Sequence, residues 1–255
     1  MRAIDLNCDM GEAFGAWTMG DDAAMLDIVS SANIACGFHA GDPSVMHRTL
    51  TLAREKGVRP GAHPGFLDLY GFGRREIRGE SMEDIEKQII YQIGAMRGMA
   101  AVVGVPLQHV KPHGTLNTMA NEDPVLAETI ARALKACAPD LIFMVMPGME
   151  TEKAGERHGL RLAREIFADR AYAETGNLVS RRIAGSVIHD ADLAADRVLR
   201  MLEAGALETL SGARIPVAID TVCVHGDTPG AVQMASRLRA RLEAAGIAVR
   251  PLAPL

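Results

Sequence analysis

The sequence predicts a single seven-stranded β/α barrel of the α/β class, and two observations carry that prediction. Short apolar runs alternate with amphipathic helical patterns along the 255 residues, as strands joined by crossover helices do. Six of the seven runs are followed by a polar or ionisable cluster at a turn: Asn7/Asp9, His39/Asp42, His63, Lys111/His113, Asp169/Arg170 and His225/Asp227. In a closed barrel the carboxyl ends of the strands converge on one mouth, where the chemistry of this architecture sits. A doubly wound open sheet is the alternative, and an eighth strand is compatible with the pattern. No low-complexity linker divides the chain, so residues 1–255 are expected to form one domain.

The elements follow in order. Residues 3–6 read as the first strand, ending in Asn7-Cys8-Asp9, and a loop with Gly11, Gly15 and Gly20 leads to a short helix over 21–29. The second strand, 32–36, breaks at Gly37, presents His39, breaks again at Gly41 and reaches Asp42. Pro43 then opens a helix that Gly57 stops. The third strand, 58–62, ends in His63-Pro64-Gly65, and the long loop over 66–79 holds Tyr70, Arg74 and Arg75. Ser81 with Asp84 resembles a capping box. After it, Ile85, Ile89, Ile93, Met96, Ala100 and Val103 recur at helical spacing.

The fourth strand, 107–110, ends in Lys111-Pro112-His113-Gly114, and Asn121 and Pro124 open a helix to Cys137. Residues 141–146 form a wholly apolar fifth strand, as suits one covered on both faces. A helix to His158 precedes the sixth strand, 161–167, which ends in Ala168-Asp169-Arg170. A second long connection over 172–188 carries Arg181 and Arg182, and a helix over 190–204 follows. Residues 206–217 read as a hairpin turned at Ser211-Gly212. The seventh strand, 221–224, ends in His225-Gly226-Asp227. Thr228 and Pro229 start the last helix, with Val232, Ala235, Leu238 and Leu242 as its stripe, and residues 247–249 add an edge strand.

Composition narrows the function classes. A net charge of −5 argues against nucleic acid as the main partner. No apolar run reaches the roughly 18 residues that span a membrane, and no signal-peptide pattern opens the chain. Cys8, Cys36, Cys137 and Cys223 have no CxxC spacing, so a disulfide scaffold is not expected and the cytoplasm is. Buried packing of these thiols is favoured over a nucleophilic Cys8. No phosphate-binding GxxxxGK[ST] loop, Rossmann fingerprint or nucleophile elbow is present.

The strand-end residues suggest two chemistries. Asp9 with His39 and His63 can ligate a divalent metal through oxygen and imidazole nitrogen. Alternatively, Asp9 acts as a base and a histidine as an acid on a carbonyl or amide. Lys111 beside His113 suits charge developing on oxygen. Arg74-Arg75 and Arg181-Arg182 can clamp a carboxylate or phosphate, although paired loop arginines are usually solvated. His47, His109, His158 and His189 are read as structural.

The motifs together resemble a known family. Asp5-Leu6-Asn7-Cys8-Asp9-Met10-Gly11-Glu12, the stretch 31–43, Gly61-Ala62-His63-Pro64-Gly65 and Gly71-Phe72-Gly73-Arg74-Arg75 are similar to blocks of the LamB/YcsF family. So are Tyr91-Gln92-Ile93-Gly94-Ala95, Val110-Lys111-Pro112-His113-Gly114, Phe167-Ala168-Asp169-Arg170-Ala171-Tyr172 and Val224-His225-Gly226-Asp227-Thr228-Pro229-Gly230. The resemblance implies a barrel of the glycoside hydrolase/deacetylase type. It implies ATP-dependent hydrolysis of the lactam of 5-oxo-L-proline to L-glutamate, with ATP as co-substrate and two partner subunits, B and C. Two departures stand out. After Gly114 the family pattern Ala-Leu-Tyr-Asn is replaced by Thr115-Leu116-Asn117-Thr118, which bears on lactam specificity, and Arg182-Ile183-Ala184-Gly185 lacks a proline before the glycine.

On this reading the catalytic set is Asp9, His39, His63, Lys111, His113, His225 and Asp227, and substrate contacts come from Asn7, Arg74, Asp169 and Arg170. Asp9 is the base or water-orienting group, Lys111 polarises the lactam or a phosphorylated intermediate, and His225 with Asp227 completes proton transfer. A divalent metal and a homo-oligomer are both compatible with the sequence. The rival classes are a metal-dependent amide or sugar deacetylase acting alone and a non-catalytic substrate-binding subunit.

Overall fold

Seven parallel strands close on one another in the computed structural model, which describes residues 3–227 and 230–252. In chain order the strands are β1 (Ala3–Met10), β2 (Ser31–Ala35), β3 (Arg59–His63), β4 (His109–Val110), β5 (Ile142–Val145) and β6 (Leu162–Phe167). The antiparallel hairpin of β7 (Ala206–Glu208) and β8 (Arg214–Pro216) follows, then β9 (Thr221–His225) and β10 (Ala248–Val249). β1 pairs with both β2 and β9, which closes the ring β1-β2-β3-β4-β5-β6-β9. β10 pairs with the start of β1.

The helices are α1 (Asp22–Met25), α2 (Pro43–Lys56), α3 (Met82–Val103), α4 (Gly114–Ala120), α5 (Pro124–Cys137), α6 (Glu150–Arg157), α7 (Ala191–Ala204) and α8 (Ala231–Ala244). Their boundaries have local causes. The Asp42 side chain accepts from Ser44 and Val45 N–H to start α2, and Gly57 ends it in the left-handed conformation. Asp42 is thus a cap, with its other oxygen on Gly15 N–H at 2.8 Å, and not part of a catalytic cluster. Ser81 caps α3, whose Ile85, Ile89, Ile93, Met96, Ala100 and Val103 are all buried.

Several boundaries differ from expectation. β1 runs to Met10, so Asn7 and Asp9 lie on the strand rather than beyond it. α1 is a single turn, and Asp123, not Asn121, caps α5. α4 stands between Gly114 and Asn121, where the sequence pattern assigns no element. Thr228 and Pro229 lie outside the described residues, and α8 begins at Ala231 after a left-handed Gly230.

Strand alternation sorts β1 into two faces. Ile4, Leu6, Cys8 and Met10 join the apolar core beneath the helices. Asp5, Asn7 and Asp9 carry a polar ladder along the other face. Asp5 accepts hydrogen bonds from Ser30, Ser31 and Thr221 at 2.6–2.7 Å. Asn7 donates to Thr221 Oγ1 and accepts from Asn33 Nδ2, both at 2.7 Å. Asn33 Nδ2 also donates to Asp9 Oδ1 at 2.8 Å, and His109 Nε2 donates to Asn33 Oδ1 at 2.7 Å. Barrels of this kind usually fill such positions with branched apolar residues. Here a chain of hydrogen bonds leads to Asp9. No helix among the described residues is long and apolar enough to cross a membrane, and all four cysteines are free thiols.

Candidate active site

Asp9 sits at the head of this ladder. Lys111 Nζ donates to Asp9 Oδ1 at 2.7 Å, and it also lies 3.0 Å from Glu165 Oε1 and 3.1 Å from Cys223 Sγ. The Phe167 ring lies beneath the ammonium, 5.2 Å from its centroid. Burial opposes charge on both partners. It is overcome at Asp9 by His63 and Lys111, which hold the carboxyl well below the usual carboxylate range. At Lys111 it is overcome by Asp9, Cys223 and Glu165, which hold the ammonium well above its ordinary value. The result is a fixed ion triad rather than a free cation.

Three histidines gather next to it. His63 Nδ1 donates to the Lys111 carbonyl at 2.6 Å, and its Nε2 lies 3.3 Å from Asp9 Oδ2 and 3.0 Å from His113 Nδ1. His113 Nε2 donates to the Phe72 carbonyl at 2.8 Å. Phe72 has a left-handed φ of 56°, a conformation that a bulky residue rarely adopts and that marks local strain. His39 stacks face to face on His113, with centroids 3.7 Å apart. Glu12 Oε1 approaches His113 Nδ1 to 3.6 Å and His39 Nε2 to 3.7 Å. One ligand-type atom from each of Glu12, His39, His63 and His113 lies within 4.8 Å of the others, so these four can hold a metal ion. Burial lowers the pKa of His39 and His113 well below the ordinary imidazole value and raises that of Glu12 well above the carboxylate value.

On the other wall, His225 Nδ1 lies 2.8 and 2.9 Å from the two oxygens of Asp169 and its ring stacks on Phe167. Burial opposes ionisation of Asp169, but His225 holds its carboxyl below the usual range. The pair has the form of an oriented acid/base histidine.

A cavity of about 980 Å³ opens over these groups, with Asp9, His63, Lys111, His113, Arg170 and His225 in its lining. The two long connections supply its rim: Arg74, Arg75 and Arg78 from one, Arg181 and Arg182 from the other. Arg74 pairs with Asp227 at 2.7 Å, and Arg75 with Asp68. Arg181 Nη2 is buried without a hydrogen-bond partner. Asn117 and Thr118, the positions that depart from the family pattern, also line the cavity, and Asn117 Oδ1 is buried and unpaired.

Asp9, Lys111, His63 and His113 are therefore brought together, with His39 packed behind them. His225 and Asp169 form a separate pair, and Asp227 is engaged by Arg74. Arg170 donates to the carbonyls of Val179 and Ser186, so it ties down the second long connection as well as lining the cavity. Asn7 is fully buried inside the barrel, away from the cavity lining, and serves the polar ladder. Glu12, Asn33 and Glu165 escape sequence reasoning. Glu12 lies in a glycine-spaced loop without periodicity, and the other two sit inside strands, where a lone polar residue carries no motif.

Comparisons with known proteins place the chain by family and by fold. The model of the LamB/YcsF family matches residues 4–255. The A-type subunit of 5-oxoprolinase from Rhodopseudomonas palustris is 54% identical over 250 residues, covering 98% of each chain. Its counterpart from Gluconobacter oxydans is 52% identical over 251 residues, again with 98% of each chain covered. A lactam utilization protein from Thermus thermophilus superposes with a TM-score of 0.91 at 45% identity, covering 97% of this chain and 99% of that one. A family 4 carbohydrate esterase from Streptomyces lividans shares the barrel alone, at TM-score 0.51 and 11% identity over 99% of this chain and 94% of the esterase.

Proposed function

The chain belongs to the LamB/YcsF family, and we propose that it serves as the A-type component of an ATP-hydrolysing 5-oxoprolinase. Its substrate is then 5-oxo-L-proline, opened to L-glutamate in the 980 Å³ cavity. Two partner subunits, B and C, complete the enzyme, and ATP is the co-substrate of the assembly. The four free thiols suit action in the reducing cytoplasm.

The observation that carries this reading is the meeting, in one cavity, of an arginine rim with an oriented His225 and an ionised Asp9. The substrate is a small carboxylate, and its unstrained amide is a poor electrophile. Transfer of a phosphoryl group to the lactam oxygen turns that oxygen into a leaving group and adds charge for arginines to meet. Water then adds to the carbonyl carbon, the C–N bond breaks as the ring nitrogen leaves with a proton, and a second water cleaves the resulting acyl phosphate to L-glutamate and inorganic phosphate.

The roles divide by proton affinity. A carboxylate held well below its usual range is a weak base, so Asp9 orients the attacking water, with His63 Nε2 3.3 Å from its Oδ2. Lys111 donates to Asp9 and Cys223 and lies 3.0 Å from Glu165, so it acts by fixing Asp9 more than by polarising the lactam. His225, aligned by Asp169, is the residue placed to carry a proton to the departing nitrogen, and Arg74, held by Asp227, faces the anionic substrate.

The test is an assay of the chain with B and C on 5-oxoproline and ATP, following glutamate and phosphate together. Coupled release of both, lost with Asp9→Asn or His225→Gln, supports the proposal. ATP-independent hydrolysis by the chain alone, or full activity in Asp9→Asn, overturns it.

A further inference from the structure

Beside Asp9, two imidazole nitrogens face one another in a way that needs a positive centre, and we propose that a zinc-type divalent metal ion binds there, held by Glu12, His63 and His113. A backbone carbonyl only accepts hydrogen bonds. His63 Nδ1, 2.6 Å from the Lys111 carbonyl, therefore carries hydrogen, and so does His113 Nε2, 2.8 Å from the Phe72 carbonyl. In the neutral rings the lone pairs are left on His63 Nε2 and His113 Nδ1, and these atoms are 3.0 Å apart. Lone pairs that close repel unless a cation or a shared proton lies against both.

The surroundings favour a metal. Glu12 Oε1 is buried, has no hydrogen-bond partner and stands 3.6 Å from His113 Nδ1. An unsatisfied carboxylate oxygen in the interior is costly, and a metal ion satisfies it. Metal bonds of about 2.0–2.1 Å in a tetrahedron set ligand atoms roughly 3.3 Å apart, and the separations of 3.0 and 3.6 Å straddle that edge. Each ligating ring is also anchored through its other nitrogen to a backbone carbonyl, the outer contact that fixes metal-bound imidazoles. Two imidazoles and a carboxylate with a coordination position to spare suit zinc, cobalt or iron rather than magnesium or calcium.

His39 is the adjustable member. Neither of its nitrogens has a hydrogen bond, and its Nε2 is 3.7 Å from Glu12 Oε1. Its ring is parallel to that of His113 within 2°. Parallel stacked rings cannot both direct in-plane lone pairs at one ion, so His39 joins the set only by turning its ring. This site does not depend on the lactam reading.

The whole chain, stripped with chelator, is titrated with Zn²⁺ by calorimetry, and Co²⁺ is added separately and followed by visible absorption. The expected result is one ion per chain, with the ligand-field bands of a tetrahedral or five-coordinate Co²⁺ site. Glu12→Gln and His113→Asn are expected to weaken Zn²⁺ binding by about a hundredfold or more, His39→Ala by about tenfold. His47→Gln, on an exposed face of α2, should bind as the unaltered chain does. Circular dichroism establishes that each variant is folded. Should Glu12→Gln or His113→Asn not fold, the Co²⁺ spectrum of the unaltered chain decides the question. Absence of a stoichiometric ion and of Co²⁺ bands overturns the proposal in favour of a shared proton, and undiminished binding by folded Glu12→Gln and His113→Asn places the ion elsewhere.

Discussion

Lys111 keeps its charge inside the barrel only because two buried carboxylates face it, Asp9 at 2.7 Å and Glu165 at 3.0 Å. Its removal takes the ammonium away from both acids and leaves Asp9 with His63 alone among its ion-pair partners. Lys111→Met should therefore destabilise the fold by about 3–5 kcal/mol, read as a lower urea midpoint, and a midpoint equal to that of the unaltered chain would show that the triad contributes nothing. Asp5 presents the opposite case. Burial pushes its pKa up to about 6 despite three hydroxyl donors. The unfolded carboxyl titrates near 3.9, so between about pH 4 and 6 the folded chain binds more protons than the unfolded one. Stability from this group is thus fully present below pH 4 and falls as pH rises to 6, by about 3 kcal/mol. Asp5→Asn should flatten that slope in unfolding curves recorded from pH 4 to 7; an unchanged slope would assign it to other groups.

At the scale of elements, β3 and β4 meet through a missing side chain. A methyl group at Gly61 would lie 2.2 Å from the His109 ring, which fills the space inside the barrel. Gly61→Ala should cost about 1–3 kcal/mol by overpacking, and most of that loss should vanish in a background carrying His109→Ala, where the ring is gone. Additive losses in this double-mutant cycle would refute direct contact. Neither the glycine nor the ring is visible as a pair in the sequence, because they are 48 residues apart. What is legible is local: the Ser81 cap, the Pro43 start and Gly57 stop of α2 and the buried stripe of α3 are written in short-range spacing. Polar residues mislead where tertiary partners exist. Asn7 and Asp9 look like the end of a strand, yet β1 continues because Thr221, Asn33 and Lys111 satisfy them. α4 is hidden for a related reason. Gly114, Thr115, Asn117 and Thr118 are modest helix formers, and His113 provides no side-chain cap. The helix is instead anchored by Thr115, whose N–H and hydroxyl reach the Gly73 and Arg75 carbonyls.

Across the whole molecule, closure of the barrel brings together groups that no local pattern links, such as Asp9 with Lys111, 102 residues away, and Arg74 with Asp227, 153 away. The same closure sets cations from two loops around one cavity on a chain whose net charge is −5. Burial and the neighbouring Arg74 depress the pKa of Arg181, and burial and Arg181 bring that of Arg170 down to about 10. An unliganded cavity thus stores repulsion that an anionic substrate relieves. Arg181→Met should then have effects of opposite sign. The free chain should melt at a higher temperature, since a half-buried cation whose Nη2 is buried without a hydrogen-bond partner is gone. In the complete enzyme KM for 5-oxoproline should rise about tenfold, equivalent to about 1.4 kcal/mol, while kcat changes little because the cation binds substrate and reacting species alike. Raising ionic strength should raise KM in the unaltered enzyme and do so less in the variant. A variant that melts lower with KM unchanged would mean that Arg181 is a structural residue of its loop and that the rim does not recruit substrate.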